Sequence, residues 1–124
     1  MAKHPSISEA EWEVMGVVWN RHPIAAGDVV DELAGKRKWS PKTVKTLLNR
    51  LVKKGALGFE VEGKRYLYEP KVSREECVRR EGRSFVKRVF AGKAGDMLCQ
   101  FVDEVELSRE EIAQLKRILE QKAK

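Results

Sequence analysis

The residues best suited to chemistry in this sequence lie in a basic stretch near the middle of the chain. The window from Lys36 to Lys54 contains eight lysines and arginines and no acidic residue. A helix through this window would place long cations beside threonine and asparagine on one face, a combination that reaches phosphates and can contact base edges. The members of that face are Lys42, Thr43, Lys45, Thr46, Asn49, Arg50 and Lys53.

The alternative interpretation of such a stretch is an ordinary solvated helix face. A solvated face usually mixes glutamate with lysine, because oppositely charged pairs four residues apart stabilise a helix. No acid interrupts this face, so the pattern favours binding to nucleic acid. Threonine and asparagine among the lysines favour the reading of base sequence over contact with phosphates alone.

A second basic element, Gly63-Lys64-Arg65, falls at the turn of a predicted hairpin. Its two long side chains could contact the DNA backbone or the adjacent minor groove, although a charged hairpin tip is also common without any partner. Trp39, just before the basic helix, either packs at a corner between helices, which is the favoured role, or donates its indole N–H to a phosphate. The sequence predicts that Trp39, Lys64 and Arg65 contribute to DNA binding.

Three helices should position the basic face. The first is predicted over residues 8–19 and is apolar around most of its circumference, as expected of a central, largely buried helix. The second, over 26–34, has apolar residues at three-and-four spacing and a stop at Gly35. The third carries the basic face and is predicted from the cap Ser40 to about Lys54.

After Gly55 the apolar period changes from helical to two. Residues 57–61 and 66–68 alternate on either side of a glycine turn, which predicts a short hairpin. Three helices followed by a hairpin predict a mainly α fold with a small β-wing, a winged helix-turn-helix domain over residues 1–71. The predicted core of this domain contains Trp12, Val44, Leu48 and Phe59.

Residues 72–124 are predicted to form a separate helical region. Some 50 residues of helix with separated apolar stripes cannot easily bury them alone. The simplest partner is a second copy of the chain, and a two-fold homodimer is the commonest arrangement. The predicted dimer interface comprises Phe85, Val89, Leu98, Phe101, Val102, Leu115 and Leu119.

Composition excludes several other classes of protein. The chain has 124 residues, 42% of them apolar and 35% charged, with a net charge of +6. No apolar run is long enough to span a membrane, and no secretory leader is visible at the N-terminus. Cys77 and Cys99 fit neither a disulfide framework nor a zinc motif and are predicted to be small buried hydrophobes. No catalytic constellation, metal site or cofactor loop is recognisable, so we expect a cytoplasmic protein that is not an enzyme.

Three segments of the sequence resemble the penicillinase-repressor family of the BlaI/MecI type. They are residues 7–15, 39–48 and 50–55, and the run Trp-Ser-Pro-Lys-Thr-Val that begins at Trp39 is the most specific. The resemblance implies a dimeric winged-helix repressor that binds an inverted-repeat operator and controls antibiotic-resistance genes. It also implies that bases are read by Lys42, Thr43, Lys45 and Thr46.

The resemblance further implies how repression is relieved. In the antibiotic-linked members a membrane sensor protease triggers cleavage of an Asn-Phe bond in the dimerisation region. The matching position here is Gln100-Phe101, a departure from that pattern. Two other functions remain open at this point: a helical module whose basic face binds an acidic protein, and a winged helix that binds nucleic acid without sequence preference.

Overall fold

A computed structural model describes residues 6–124, so the part of the N-terminal leader prediction that concerns residues 1–5 lies outside the described residues. Helices dominate, and three short strands form one sheet, which confirms the predicted mainly α fold with a β-wing. In chain order the elements are α1 (Glu9–Asn20), β1 (Ile24–Ala25), α2 (Ala26–Ala34), α3 (Pro41–Lys54), β2 (Leu57–Glu62), β3 (Arg65–Pro70), α4 (Arg74–Val89), α5 (Ala94–Glu104) and α6 (Arg109–Ala123).

The ends of the helices follow from local chemistry. Ser8 caps α1 by accepting a hydrogen bond from the Glu11 amide at 3.2 Å, and the Glu11 carboxylate accepts one from the Ser8 amide at 2.9 Å. The Ser40 hydroxyl accepts from the Thr43 amide at 3.2 Å, so it satisfies one free donor at the start of α3. Gly55 ends α3 with a φ of +84°, a left-handed conformation that glycine adopts without steric cost.

The core of the first part of the chain lies between α1, α2, α3 and the base of the hairpin. Val14, Met15 and Val18 of α1 are fully buried, as the wide apolar surface of this helix predicts. Phe59 was predicted to join this core, and that prediction was wrong, since its side chain is 42% exposed. Leu57 and Tyr68 are buried, whereas Phe59, the direct cross-strand partner of Tyr68, lies on the outer strand β2 and is covered less than Tyr68 on the central strand β3.

The sheet contains a strand that the sequence did not reveal. Its order is β1–β3–β2, with both neighbours antiparallel to β3. The two-residue strand β1 pairs Ile24 with Tyr68 and Ala25 with Leu67. Two residues are too few to show a strand period, and their pairing with a partner more than forty residues away is set by tertiary packing. The strand joins the start of α2 to the hairpin.

The chain divides into two compact units, the first ending at Arg80 and the second covering Glu81–Lys124. Cys77 is buried in the core of the first unit. In the second unit the rings of Phe85, Phe90 and Phe101 lie 5.9–6.3 Å apart. Among residues 81–124, all of which the structure describes, no side chain is buried within the single chain.

Cys99 differs from its predicted role as a buried hydrophobe. It is exposed in the single chain, because few side chains pack over α5 and no residue of that helix is buried. Within residues 6–124, no helix is long and apolar enough to cross a bilayer. In the same part of the chain, no three His, Cys, Asp or Glu side chains lie together in a way that could hold a metal ion.

Candidate nucleic-acid interface

Helix α3 has one apolar, buried side and one polar, exposed side. Its apolar side chains Val44, Leu47, Leu48 and Leu51 are between 0% and 5% exposed and pack in the core. The side chains predicted to bind DNA, from Lys42 to Lys53, are all exposed on the other side of the helix. The buried residues therefore fix the orientation of α3 and leave the whole polar face accessible to a partner.

The two threonines of this face are already held by the helix. The Thr46 hydroxyl donates to the Lys42 carbonyl at 2.9 Å, and the Thr43 hydroxyl lies 3.1 Å from that of the cap Ser40. Because its proton is engaged, Thr46 offers its methyl group and its oxygen lone pairs. These groups suit a thymine methyl or a base amino group, and their orientation is fixed before any partner arrives.

The wing tip presents two exposed cations on a tight turn. Gly63 makes the turn between β2 and β3 with a φ of +64°, and Lys64 and Arg65 follow it directly. Arg65 lies 3.6 Å from the Glu62 carboxylate, with both side chains largely exposed. Such a surface pair contributes little to stability, so the Arg65 guanidinium can exchange this partner for a phosphate.

Helix α3 and the wing border the same cleft, which has a volume of about 840 Å³. Four of the predicted DNA-binding residues line it: Lys45 and Asn49 from α3, and Lys64 and Arg65 from the wing. The other members of the polar face are exposed on α3 outside this cleft: Lys42, Thr43, Thr46, Arg50 and Lys53. The structure thus joins the two basic elements that the sequence treated separately.

Trp39 lies at the edge of the core. Its ring is partly buried and packs against the core cluster, in agreement with the packing role that the sequence favoured. The Arg37 guanidinium lies over this ring, 5.8 Å from its centroid, and also donates to Glu13 at 2.7 Å. The loop that leads into α3 is therefore held in place, while a contact between Trp39 and DNA stays a prediction.

An ion pair between a buried carboxylate and a partly exposed lysine anchors the far end of α3, and it was not predicted from the sequence. Lys54 donates to the Glu11 carboxylate at 2.5 Å and to the Ser6 carbonyl at 2.8 Å. The Glu11 side chain is only 1% exposed. Burial acts to raise the pKa of Glu11, but the hydrogen bonds from Lys54 and Ser8 outweigh it and hold that pKa below its ordinary value. This charged contact fixes the last turn of α3 against the start of α1.

Tyr66 and the acids of α2 also belong to the cleft, and their place there was not predicted from the sequence. Tyr66 follows the wing tip and lines the cleft beside α3, as do Asp28 and Asp31. The alternation along the hairpin could have indicated that Tyr66 lies on the same face as Phe59. No local signal in the sequence places α2 opposite the wing, because that neighbourhood depends on the strand β1.

Comparison with known proteins decides the family. The model of the penicillinase repressor family matches residues 7–121, which is almost the whole chain. The chain belongs to the penicillinase repressor family. A penicillinase repressor from Bacillus licheniformis is 40% identical over 121 residues, which cover 98% of this chain and 94% of that protein. The resemblance of the three sequence segments is thereby confirmed.

Two solved structures support the same assignment. The solution structure of the DNA-binding domain of the repressor BlaI is 45% identical, with a TM-score of 0.56, and covers 61% of this chain and 93% of that one. A solution structure of monomeric Bacillus licheniformis BlaI in complex with a half-operator has the same identity and coverage, with a TM-score of 0.53. The penicillinase repressor family consists of transcriptional repressors, so the prediction that this chain is not an enzyme is confirmed.

Proposed function

We propose that this chain is a sequence-specific transcriptional repressor that binds an inverted-repeat DNA operator as a homodimer and controls genes of β-lactam resistance. The observation that carries the proposal is the shared cleft of α3 and the wing, in a chain of the penicillinase repressor family. DNA beside this cleft would meet Lys45 and Asn49 of α3 and the cations Lys64 and Arg65 of the wing, and the acids Asp28 and Asp31 of α2 also line the cleft. A repressor acts on genomic DNA, so we place the protein in the cytoplasm.

Each part of the face has a distinct role in this proposal. Lys42, Thr43, Lys45 and Thr46 lie in the first half of α3 and would contact base edges in the major groove, with Asn49 beside them. Arg50 and Lys53, further along the helix, would contact phosphates, as would Lys64 and Arg65 at the wing tip. Trp39 would contribute its indole N–H at the border of the interface.

The proposed homodimer uses the second unit. Leu98, Phe101 and Val102 of α5 are 44–48% exposed, and Leu119 of α6 is 58% exposed. Exposed apolar side chains at this density are unusual for a helical unit that stays alone in water. A second copy would cover them and would set two copies of α3 at a fixed spacing, as an inverted repeat requires. Residues 1–71 would then bind DNA and residues 72–124 would dimerise.

We further propose that loss of the dimer relieves repression. Cleavage between Gln100 and Phe101, triggered by a membrane sensor protease, would separate Phe101 and all of α6 from the remainder of the chain. The ring of Phe101 packs against those of Phe85 and Phe90, so its removal also opens that aromatic cluster. The shortened chain would keep α3 intact but would bind only one half-site at a time.

Selection of duplexes from a random DNA pool tests the proposed function. We expect enrichment of an inverted repeat, because two identical faces related by two-fold symmetry must read two identical half-sites. Recovery of duplexes with no common sequence would favour a winged helix that binds nucleic acid without sequence preference. Failure to retain any duplex, with retention on an acidic polypeptide, would favour the protein-binding module.

A further inference from the structure

The wing carries an exposed apolar face for which the proposed DNA contacts give no role. Phe59, Val61 and Tyr66 are 42%, 61% and 48% exposed, although the hairpin is short and its base is buried. Val61 and Tyr66 are direct cross-strand partners, and Phe59 lies two residues before Val61 on β2, so all three share one face of the hairpin. The rings of Phe59 and Tyr66 stack, with centroids 4.6 Å apart and an interplanar angle of 18°.

The acidic residues of the hairpin lie on the face opposite to this apolar face. Its three acids, Glu60, Glu62 and Glu69, alternate with the apolar residues and lie on the opposite face. Tyr66 lines the cleft together with Lys45 of α3 and the wing-tip residues Lys64 and Arg65. Asp28 and Asp31 of α2 line the same cleft, so cations outnumber acids by three to two beside Tyr66, while the acids of the hairpin lie on its opposite face.

A partner that fits this surface must offer negative charge and apolar edges at the same place. The backbone of DNA does so, because each phosphate is flanked by deoxyribose rings whose C–H edges are apolar. We propose that the wing apolar face, centred on Tyr66 and Phe59, packs against the deoxyribose edge of the DNA strand held between α3 and the wing. This inference rests on the proposed function and adds a contact that depends on burial of apolar surface, beside those that depend on charge.

Stacking of the two rings explains why such a face can stay exposed in the free chain. Each ring shields one side of the other. The two side chains are therefore ordered before DNA binds, so binding costs little side-chain entropy. A contact with sugar edges carries no base information, so it should contribute equally to every DNA sequence. It should also release no counterions, since no charge is neutralised.

These two properties define the experiment. Affinity is measured by fluorescence anisotropy over a series of salt concentrations, on a mixed-sequence 24-base-pair duplex and on a duplex recovered by selection. We expect Tyr66→Ala to weaken binding to both duplexes by about tenfold. The slope of log affinity against log salt should stay as in the parent chain. Tyr66→Phe keeps the ring and should stay within about twofold of the parent.

Two further variants serve as controls. Lys64→Ala should lower the salt slope by about one unit, which distinguishes loss of a phosphate contact from loss of an apolar one. Val61→Thr replaces a methyl group by a hydroxyl of similar size and keeps the β-branched shape that strands prefer, so it should weaken binding by about threefold without unfolding the wing. Thermal unfolding of each variant shows whether the hairpin remains folded.

The outcomes separate this inference from the proposed function. Unchanged affinity for both Tyr66→Ala and Val61→Thr, with losses for Lys45→Ala and Lys64→Ala, overturns the inference alone. Unchanged affinity for all four variants overturns the proposed interface itself. If Tyr66→Ala leaves DNA affinity unchanged and instead abolishes self-association in sedimentation, the face is an interface between copies of this chain and the inference is wrong.

Discussion

At the scale of single residues, the side chains of α3 divide into those that should read bases and those that should hold phosphates. Thr46 and Lys45 lie in the first group, and Lys53, near the end of the helix, lies in the second. We expect Lys45→Ala or Thr46→Ala to cost about 1–3 kcal/mol of binding free energy on the selected operator and much less on random DNA. Lys53→Ala should weaken binding to both and lower the salt slope by about one unit.

Anisotropy titrations of the three variants against both duplexes check this division. The parent chain and Lys53→Ala supply the matched references, since Lys53 is exposed on the same helix as Lys45. Equal losses on operator and random DNA for all three variants would remove the claim that α3 distinguishes one base sequence from another.

The contact between the buried Glu11 carboxylate and the partly exposed Lys54 predicts how stability depends on pH. Because the folded pKa of Glu11 lies below its ordinary value of 4.5, the stabilisation is present above that value and is lost as the pH falls through the folded pKa. Lys54→Met leaves the 1% exposed carboxylate without its cation, at a cost of about 1–3 kcal/mol in the free energy of unfolding at pH 7.

Urea unfolding at pH 7 and at low pH measures this effect. The difference between the parent chain and Lys54→Met should shrink as acid protonates Glu11, because the protonated side chain no longer needs a cation. Lys53→Met is the control, since Lys53 is exposed one residue earlier and its replacement should change stability by less than about 0.5 kcal/mol. A difference that is the same at both pH values would contradict the assignment.

At the scale of elements, local signals in the sequence predicted most of the first unit. The ends of α3 in the structure are those predicted from the sequence: Ser40 caps the start, Pro41 is the first helical residue, and Gly55 ends the helix. These signals could be recognised because a cap, a first-turn proline and a left-handed glycine act locally. The prediction that Phe59 is a core residue was wrong because alternation identifies a face of a strand but not whether that strand lies at the centre or the edge of the sheet. The pair of Glu11 and Lys54, 43 residues apart, has no local signature at all.

A single substitution in helix α5 should be enough to disrupt the proposed dimer interface. We expect Phe101→Asp to raise the dissociation constant of the homodimer by about 100-fold or more, because each protomer would place an unpaired charge in an apolar interface. Sedimentation velocity over a range of concentrations measures the change. Asp103→Ala, an exposed position two residues further along α5, should leave the dimer intact. A Phe101→Asp chain that remains dimeric and repressing would exclude α5 from the interface.

At the scale of the whole molecule, we expect each unit to have its own activity: DNA binding in the first unit and dimerisation in the second. The first unit reaches Arg80, beyond the predicted boundary at residue 71, and contains the buried Cys77 and the Val72 carbonyl that accepts from the Trp19 indole at 2.9 Å. Helix α4 includes residues of both units, and the domain boundary at residue 71 stays a prediction.

A fragment of residues 1–80 should therefore fold and bind a half-site as a monomer. Its affinity for the full inverted repeat should fall well below that of the full chain, because the two half-sites are no longer engaged by one linked molecule. Sedimentation and anisotropy on the fragment and the full chain check both statements. A fragment that dimerises and keeps full affinity would place the dimer interface in the first unit.

The central claim is that this chain recognises one DNA sequence, and one ratio tests it most directly. The dissociation constant of the full chain is measured for the selected inverted repeat and for a scrambled duplex of the same base composition, at the same salt concentration. The polar face of α3 predicts that binding to the inverted repeat is tighter by about 1,000-fold or more. A ratio near one would contradict the account, because phosphate contacts alone would then explain all of the binding.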